Sequence, residues 1–169
     1  MSLDGYIANQ HGDLDFLSVV EQSGQDYGYA KFINTVDTVI MGRKTYDKVL
    51  TFSIPFPYAD EKTFIITRSH RRPQDNIVFY NDNLKALVEK LKKEEGKNIF
   101  VDGGAEIVNE LIKQNLIDEF IISVIPTLIG EGVLLFKPGR PETKLELINV
   151  SYYDKGLVQL HYRRNDLDG

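Results

Sequence analysis

Short, nearly unbroken apolar runs alternate along the chain with stretches whose apolar residues recur at helical spacing. The helical spacing predicts helices that begin at or just after Ser23, Gly42, Asp82 and Gly104. The apolar runs predict strands at 37–41, 62–67, 76–80, 98–101 and 119–126. Because unbroken apolar strands are typical of parallel sheets covered by helices on both faces, the pattern indicates an α/β protein, a three-layer α/β/α sandwich around a mostly parallel mixed sheet.

The last part of the chain has a different pattern. Two longer β-like runs, 145–154 and 157–164, are separated by Lys155 and Gly156, a pair that is typical of a hairpin turn. The sheet is therefore expected to end in a C-terminal antiparallel hairpin.

Composition narrows the class of protein. The 169 residues, 42% hydrophobic and 27% charged, suit a single domain over 1–164 with a short tail at 165–169. A formal charge of -5 argues against broad binding to nucleic acid or to an anionic membrane. The chain has no cysteine, no apolar run long enough to span a membrane and no signal-peptide pattern at its start, so we expect a cytoplasmic protein.

The residues that follow the predicted parallel strands are candidate anion sites, because ligands of open α/β sheets bind at that edge. The first strand ends at Gly42, and the next helix opens with Arg43, Lys44 and Thr45. Cations at the start of a helix interact unfavourably with the helix dipole unless an anion binds there, so a phosphate is the expected ligand. The alternative is that both side chains simply point into water. The segment is not a Walker A loop, since Arg43 stands where that motif has glycine.

Two further segments fit the same role. Residues 67–72 place three arginines and a histidine after a strand, and Arg68 could hold the 2′-phosphate that distinguishes NADPH from NADH. A solvated basic turn is the alternative. Gly103 and Gly104 lie between a strand and a helix, where they would let the backbone approach a pyrophosphate or would serve only a tight turn.

Two carboxylates are candidates for proton chemistry. Asp26 precedes Tyr29 and Ile33 at spacings that place it on the apolar helix face, where desolvation would raise its pKa, although the spacing alone favours a capping box from Ser23. Asp4 interrupts a β-like start and is either a substrate contact or a plain turn residue. The histidines are far apart and no serine lies in a nucleophile elbow, so no metal site or serine hydrolysis is predicted.

Several segments, in order, resemble the dihydrofolate reductase superfamily, closest to its branch with the reductase domain of riboflavin-biosynthesis deaminase/reductases. The segments are SLDGYIA, VDTVIMGRKTY, FIITRS, VDGGAEIVNELI and DEFIISVIPTLIGEGVLLF, and together they span nearly the whole chain. The resemblance implies a single dihydrofolate reductase-like domain, NADPH as hydride donor and a ring substrate beside the nicotinamide, and it is compatible with a homodimer.

The resemblance also implies roles for particular residues. Asp26 resembles the acid that holds the pterin ring in dihydrofolate reductases, whereas in the riboflavin-type branch Asp4 is the expected substrate contact. The implied cofactor contacts are Gly42, Arg43, Lys44 and Thr45 in the first loop, Thr67, Arg68 and Ser69 in the second, and Gly103, Gly104, Ala105 and Glu106 in the third.

The chain departs from authentic dihydrofolate reductases in two places. Its loop ANQHGDLDFL lacks their Pro-Trp pair, and only Met1 precedes the SLDG motif where relatives have a buried strand, which is therefore missing or replaced. The implied activity is NADPH-dependent reduction of a small pteridine-like ring, with dihydrofolate as one candidate. The alternatives are a ribosylaminopyrimidine-like substrate of the riboflavin pathway and a non-catalytic nucleotide-binding module.

Overall fold

A computed structural model describes residues 1–165, which form two compact units; the last residues of the expected tail lie outside this range. Unit 1 comprises Met1–Tyr27 and the chain from Leu111 onward, and unit 2 comprises Gly28–Glu110. The helices are α1 (Tyr29–Ile33), α2 (Arg43–Val49), α3 (Leu84–Leu91) and α4 (Ala105–Lys113). The strands are β1 (Tyr6–Ala8), β2 (Val36–Gly42), β3 (Lys62–Ile66), β4 (Ile77–Tyr80), β5 (Asn98–Gly103), β6 (Glu119–Val124), β7 (Val133–Leu134), β8 (Leu145–Tyr152) and β9 (Val158–Arg164).

Unit 2 is built on a parallel sheet with the strand order β4-β3-β2-β5. The central strands β2 and β3 are apolar because helices and loops cover them, and Val39, Ile40, Met41 and Ile65 are completely buried. All four strands coincide with apolar runs of the sequence to within about two residues. The prediction of an α/β protein with a central parallel sheet is confirmed.

The segment between α2 and β3 contributes aromatic side chains to the core of unit 2. Phe56 and Tyr58 pack edge to face against each other, with ring centroids 5.6 Å apart, and Phe56 also contacts Tyr46 of α2. Such aromatic pairs contribute about 0.5–1.5 kcal/mol each beyond the area they bury. This proline-containing segment therefore packs as part of the core, although its sequence is typical of a surface loop.

The first helix begins later than its sequence predicts. We expected a start at Ser23, but α1 begins at Tyr29 after Tyr27 and Gly28, whose φ angles are 54° and 82°. Left-handed backbone at two successive residues cannot continue a right-handed helix. In unit 1 the Tyr27 hydroxyl donates to the Val20 carbonyl and the Tyr27 ring packs edge to face on another tyrosine, so tertiary packing overrides the local helical pattern.

Unit 1 contains the antiparallel strands. β8 and β9 form the predicted C-terminal hairpin, whose turn has positive φ at Lys155 and Gly156, and β6 pairs with the other edge of β9. The short strands β1 and β7 pair with each other and were not predicted. Ser2 forms a parallel bridge with Ile125, so the N-terminal residues lie beside the end of β6. No helix within residues 1–165 is long and apolar enough to cross a membrane.

Candidate active site

The three predicted anion-binding loops lie at one edge of the parallel sheet of unit 2. Gly42, at the end of β2, pairs with Ile66 at the end of β3, and Met41 pairs with Gly103 at the end of β5. Because these strands are parallel, their carboxyl ends share one edge. The structure thus brings together the loops that follow Gly42, Ile66 and Gly103.

The loops after β2 and β5 are in close contact. A Cβ atom added at Gly104 would lie 3.1 Å from the Thr45 Oγ1, and one added at Gly42 would lie 3.4 Å from the Ile107 side chain. Gly103 has a φ of 124°, in the region that favours glycine, and the peptide bond between Gly103 and Gly104 is cis. A side chain at residue 104 would therefore crowd Thr45, and the positive φ of Gly103 would strain any other residue at that position.

Cationic residues belong to two of these loops. Arg43 forms an ion pair with Asp47 one turn along α2, while Lys44 and Arg68 are exposed. The Arg43 and Asp47 side chains are both about two-fifths exposed, so water screens their attraction. An incoming phosphate could therefore recruit Arg43 from Asp47 at small cost.

The other loop residues supply backbone and hydroxyl groups. The Ser69 N–H donates to the Thr67 Oγ1 over 3.2 Å, which orders the turn that presents Arg68. Ala105 begins α4 and is buried, whereas Glu106, in the first turn, is exposed. The Glu106 carboxylate would repel a phosphate, so its position suits a contact through the backbone N–H rather than through the side chain.

Asp102 is an ionisable residue at this edge that the sequence analysis missed. In the pairing of β2 with β5, Ile40 is opposite Val101 and Met41 is opposite Gly103, so Asp102 is the extra residue of a bulge. Bulges often redirect a side chain beside an active site. An acidic residue at the end of an apolar strand, directly before a glycine pair, was the signal that could have identified it.

The surroundings of Asp102 favour its neutral form. Burial raises the pKa of its carboxyl, and the hydrogen bond with Tyr58 offsets this only in part. Burial also raises the pKa of Tyr58, and the nearby Asp102 charge raises it further. Asp102 can therefore hold a proton at a pH where an ordinary aspartate is ionised.

Asp4, in unit 1, has the opposite environment. Its carboxylate accepts hydrogen bonds from the Ser2 hydroxyl (2.6 Å) and from the backbone N–H groups of Gly130 (2.7 Å) and Ile129 (3.1 Å). The Ser2 bond and then the two backbone bonds lower the pKa of this carboxyl despite some desolvation. These contacts support the turn interpretation, in which Asp4 fixes the loop at residues 129–130.

Asp26 lies in neither environment that the sequence predicted. It is exposed and precedes α1 by three residues, so it is neither a first-turn cap nor part of an apolar helix face. Both structural premises were wrong because the helix begins at Tyr29. A catalytic role for Asp26 stays a prediction.

Comparison with known proteins agrees with the architecture. The family model described as the RibD C-terminal domain matches residues 1–159. The uncharacterized protein YwjB of Bacillus subtilis (strain 168) is 45% identical over 165 residues, which cover 97% of this chain and 94% of that protein. A crystal structure named "Putative riboflavin biosynthesis protein", from Shewanella sp. PV-4, has a TM-score of 0.88 and 30% identity, and covers 98% of this chain and 95% of its own.

A more distant structure shares the fold. Dihydrofolate reductase from Enterococcus faecalis, complexed with NADP(H), has a TM-score of 0.69 at 18% identity over 98% of this chain and 93% of its own. The resemblance inferred from the ordered motifs is thus confirmed. The chain belongs to the RibD C-terminal domain family, and its mixed α/β fold is the one found in dihydrofolate reductase.

Proposed function

We propose that this chain is an NADPH-dependent reductase that delivers hydride to a small electron-poor ring. The observation that carries the proposal is the convergence of three glycine-bearing or cation-bearing loops on one edge of the parallel sheet of unit 2. The relatives add support, since one is named for riboflavin biosynthesis and another is a dihydrofolate reductase complexed with NADP(H).

The residues at this edge fit the phosphates of a dinucleotide. Arg43 and Lys44 would neutralise the shared phosphates, and Arg68 would bind the 2′-phosphate, with Thr67 and Ser69 holding its turn. The backbone of Gly42, Thr45, Gly103, Gly104, Ala105 and Glu106 would line the pyrophosphate side, where the glycines leave room for close approach. When bound, NADPH supplies the hydride.

The reaction also needs a proton, because reduction of a C=N bond adds hydride to carbon and a proton to nitrogen. Asp102 is our candidate general acid, since it lies at the same edge and its raised pKa keeps it protonated over a wider range of pH. Asp4 and Asp26 remain candidates for contacts to the substrate ring. Because Asp26 is exposed and water screens its charge, its contact with the ring would be weak, and Asp4 would act through the turn that it fixes.

Two ring substrates are chemically reasonable. A pteridine, dihydrofolate among them, follows from the shared dihydrofolate reductase fold, and a ribosylaminopyrimidine is favoured by the match to the RibD C-terminal domain. The absorbance of NADPH would be followed with each substrate in turn, beside calorimetric measurement of NADPH binding. Oxidation with one ring identifies the substrate class, whereas tight binding without oxidation of NADPH would support a nucleotide-binding module instead.

The cofactor assignment is tested by Arg68→Ala. We expect the Kd for NADPH to rise about tenfold or more and the Kd for NADH to stay unchanged, because a charge-assisted bond to phosphate is worth about 1.5–3 kcal/mol. Arg72→Ala, further along the same basic turn, is the matched control and should change neither value. An equal rise in the Kd values for NADPH and NADH would contradict the assignment of Arg68 to the 2′-phosphate.

A homodimer in the cytoplasm is a further part of the proposal. β8 is an edge strand on which Leu147, Val150 and Tyr152 share one face and are exposed by 52%, 47% and 86%. A second copy of the chain would cover this apolar face and remove it from water. Sedimentation of the wild type beside Leu147→Lys tests this, since a dimer should dissociate in the variant, and a wild-type monomer would contradict it.

A further inference from the structure

A cavity of about 660 Å³ opens on one face of the antiparallel sheet of unit 1. Phe120 pairs with Tyr162 and Ile122 pairs with Leu160, so these four side chains share the face that forms its floor. Ile112, near the end of α4, also lines the cavity. Cavities of about 300–1,000 Å³ with mainly apolar walls are typical of small-molecule sites. All the lining residues belong to unit 1, whereas the proposed cofactor loops belong to unit 2.

The loop between β7 and β8 supplies the polar side of the cavity. Phe136 packs against Phe120, with ring centroids 6.5 Å apart, and the Arg140 guanidinium lies 5.5 Å from the centre of the Phe136 ring. The Arg140 Nη1 also donates to the Lys137 carbonyl over 2.6 Å. Arg140 lines the cavity and is exposed, so these two contacts hold a cation at the opening, beside an aromatic wall.

Arg140 keeps hydrogen-bond donors for a ligand. A guanidinium carries five N–H groups, and in the part of the chain that the structure describes only the Lys137 carbonyl accepts from this one. Glu142 also lines the cavity, but within residues 1–165 it forms no ion pair with Arg140. Residues 136–144 carry three cations and one acid, in a protein whose formal charge is -5. The charge at the opening therefore favours an anionic ligand.

We propose that this cavity binds an aromatic carboxylate, with its ring against Phe120, Phe136 and Tyr162 and its carboxylate paired with Arg140. Aromatic walls favour a flat ring, which makes edge-to-face contacts with them, over a flexible chain, which loses more conformational freedom on binding. A guanidinium binds a carboxylate through two parallel N–H···O bonds, which orients the ring as well as holding the charge. The site requires neither NADPH nor turnover, so it is independent of the proposed reductase activity.

A second copy of the chain is the alternative occupant. Leu147 is opposite Tyr162 in the pairing of β8 with β9, so the exposed apolar face of β8 continues the floor of the cavity. The flat part of this face suits another protein surface, whereas a concave cavity with a cation at its opening suits a small anion.

Calorimetric titration of the protein with 2-naphthoate tests the proposal, with 2-naphthamide as the uncharged probe. Arg140→Ala should raise the Kd for naphthoate about fivefold or more and leave the Kd for naphthamide unchanged, because only a carboxylate uses the charge of the guanidinium. Glu142→Gln should lower the Kd for naphthoate about twofold, since it removes a like charge from the opening. The control is Arg163→Ala on the opposite face of β9, which should change neither Kd.

Ile122→Phe tests the cavity itself. The larger side chain occupies the space of the bound ring, so naphthoate and naphthamide should both bind about tenfold more weakly or worse. Circular dichroism and a thermal melt show whether this variant folds. If it does not, the exposed position Arg140→Ala carries the test.

The outcomes separate this proposal from the others. A Kd for naphthoate that is unchanged in Arg140→Ala, or that rises equally for naphthamide, overturns the carboxylate site and leaves the reductase assignment intact. Affinity for naphthoate that falls as the protein concentration rises would show that a second copy covers the cavity, which also overturns the proposal. A wild type that binds naphthoate through Arg140 but oxidises no NADPH supports the cavity and overturns only the reductase assignment.

Discussion

Asp4 and Asp102 each lie directly before a glycine, but their surroundings shift the carboxyl pKa in opposite directions. In unit 1, hydrogen bonds from one hydroxyl and two backbone N–H groups lower the pKa of Asp4. In unit 2, burial raises the pKa of Asp102, and Tyr58 is the side chain that partly offsets this.

The difference shows how its surroundings suit a carboxyl either to hold a turn or to donate a proton. Donors that converge on Asp4 stabilise its charge and use its acceptor positions, which suits it to hold a turn. Asp102 has fewer donors and less water, so it can keep a proton and give it up.

The largest expected effect is on turnover in Asp102→Asn. The substitution keeps the shape and an oxygen that can accept from Tyr58 but cannot supply a proton, so turnover should fall about a hundredfold or more. NADPH affinity should stay near the wild-type value. Steady-state oxidation of NADPH and calorimetry would measure the two quantities, and an unchanged turnover would exclude Asp102 as the acid.

Asp4→Asn should act on stability. One of the two acceptor oxygens that Ser2, Ile129 and Gly130 share becomes an NH2 group that cannot accept, so the melting temperature at neutral pH should drop by a few degrees. Because the folded pKa of Asp4 is lowered, its stabilising contribution is present above the ordinary value of 3.8 and is lost as the pH falls through the folded pKa. Thermal melts across this range should show the variant and the wild type converging in acid.

Asp102→Asn should change stability with the opposite dependence on pH. The folded pKa of Asp102 is raised, so the wild type loses stability as the pH rises from 3.8 through the folded pKa. The variant lacks this loss, and its melting temperature relative to the wild type should increase over that interval. A constant difference would show that burial does not perturb the Asp102 carboxyl.

The smallest effect is expected for Asp26→Asn. Because Asp26 is exposed and precedes α1, water screens its charge, and we expect turnover to change less than about threefold with no shift in melting temperature. A hundredfold loss of turnover would instead support the ring-binding role that the resemblance implies for Asp26.

The sequence by itself determined the parallel sheet and the edge at which the three loops meet. The apolar runs around Ile40 and Ile65 predicted buried strands, and parallel strands place their carboxyl ends at a common edge. Gly42, Gly103 and Gly104 were recognisable because glycine is a local signal for close backbone approach. The ordered motifs were also enough to identify the family.

Only the tertiary structure decided where α1 begins and which carboxyl has a raised pKa. The helix start depends on the packing of Tyr27 in unit 1, a contact that overrides a helical pattern within the segment itself. The direction of the Asp102 pKa shift depends on burial and on Tyr58, which comes from a distant segment whose sequence is typical of a surface loop. Desolvation depends on which other segments cover a side chain, and the helical or strand periodicity of one segment does not show which segments those are.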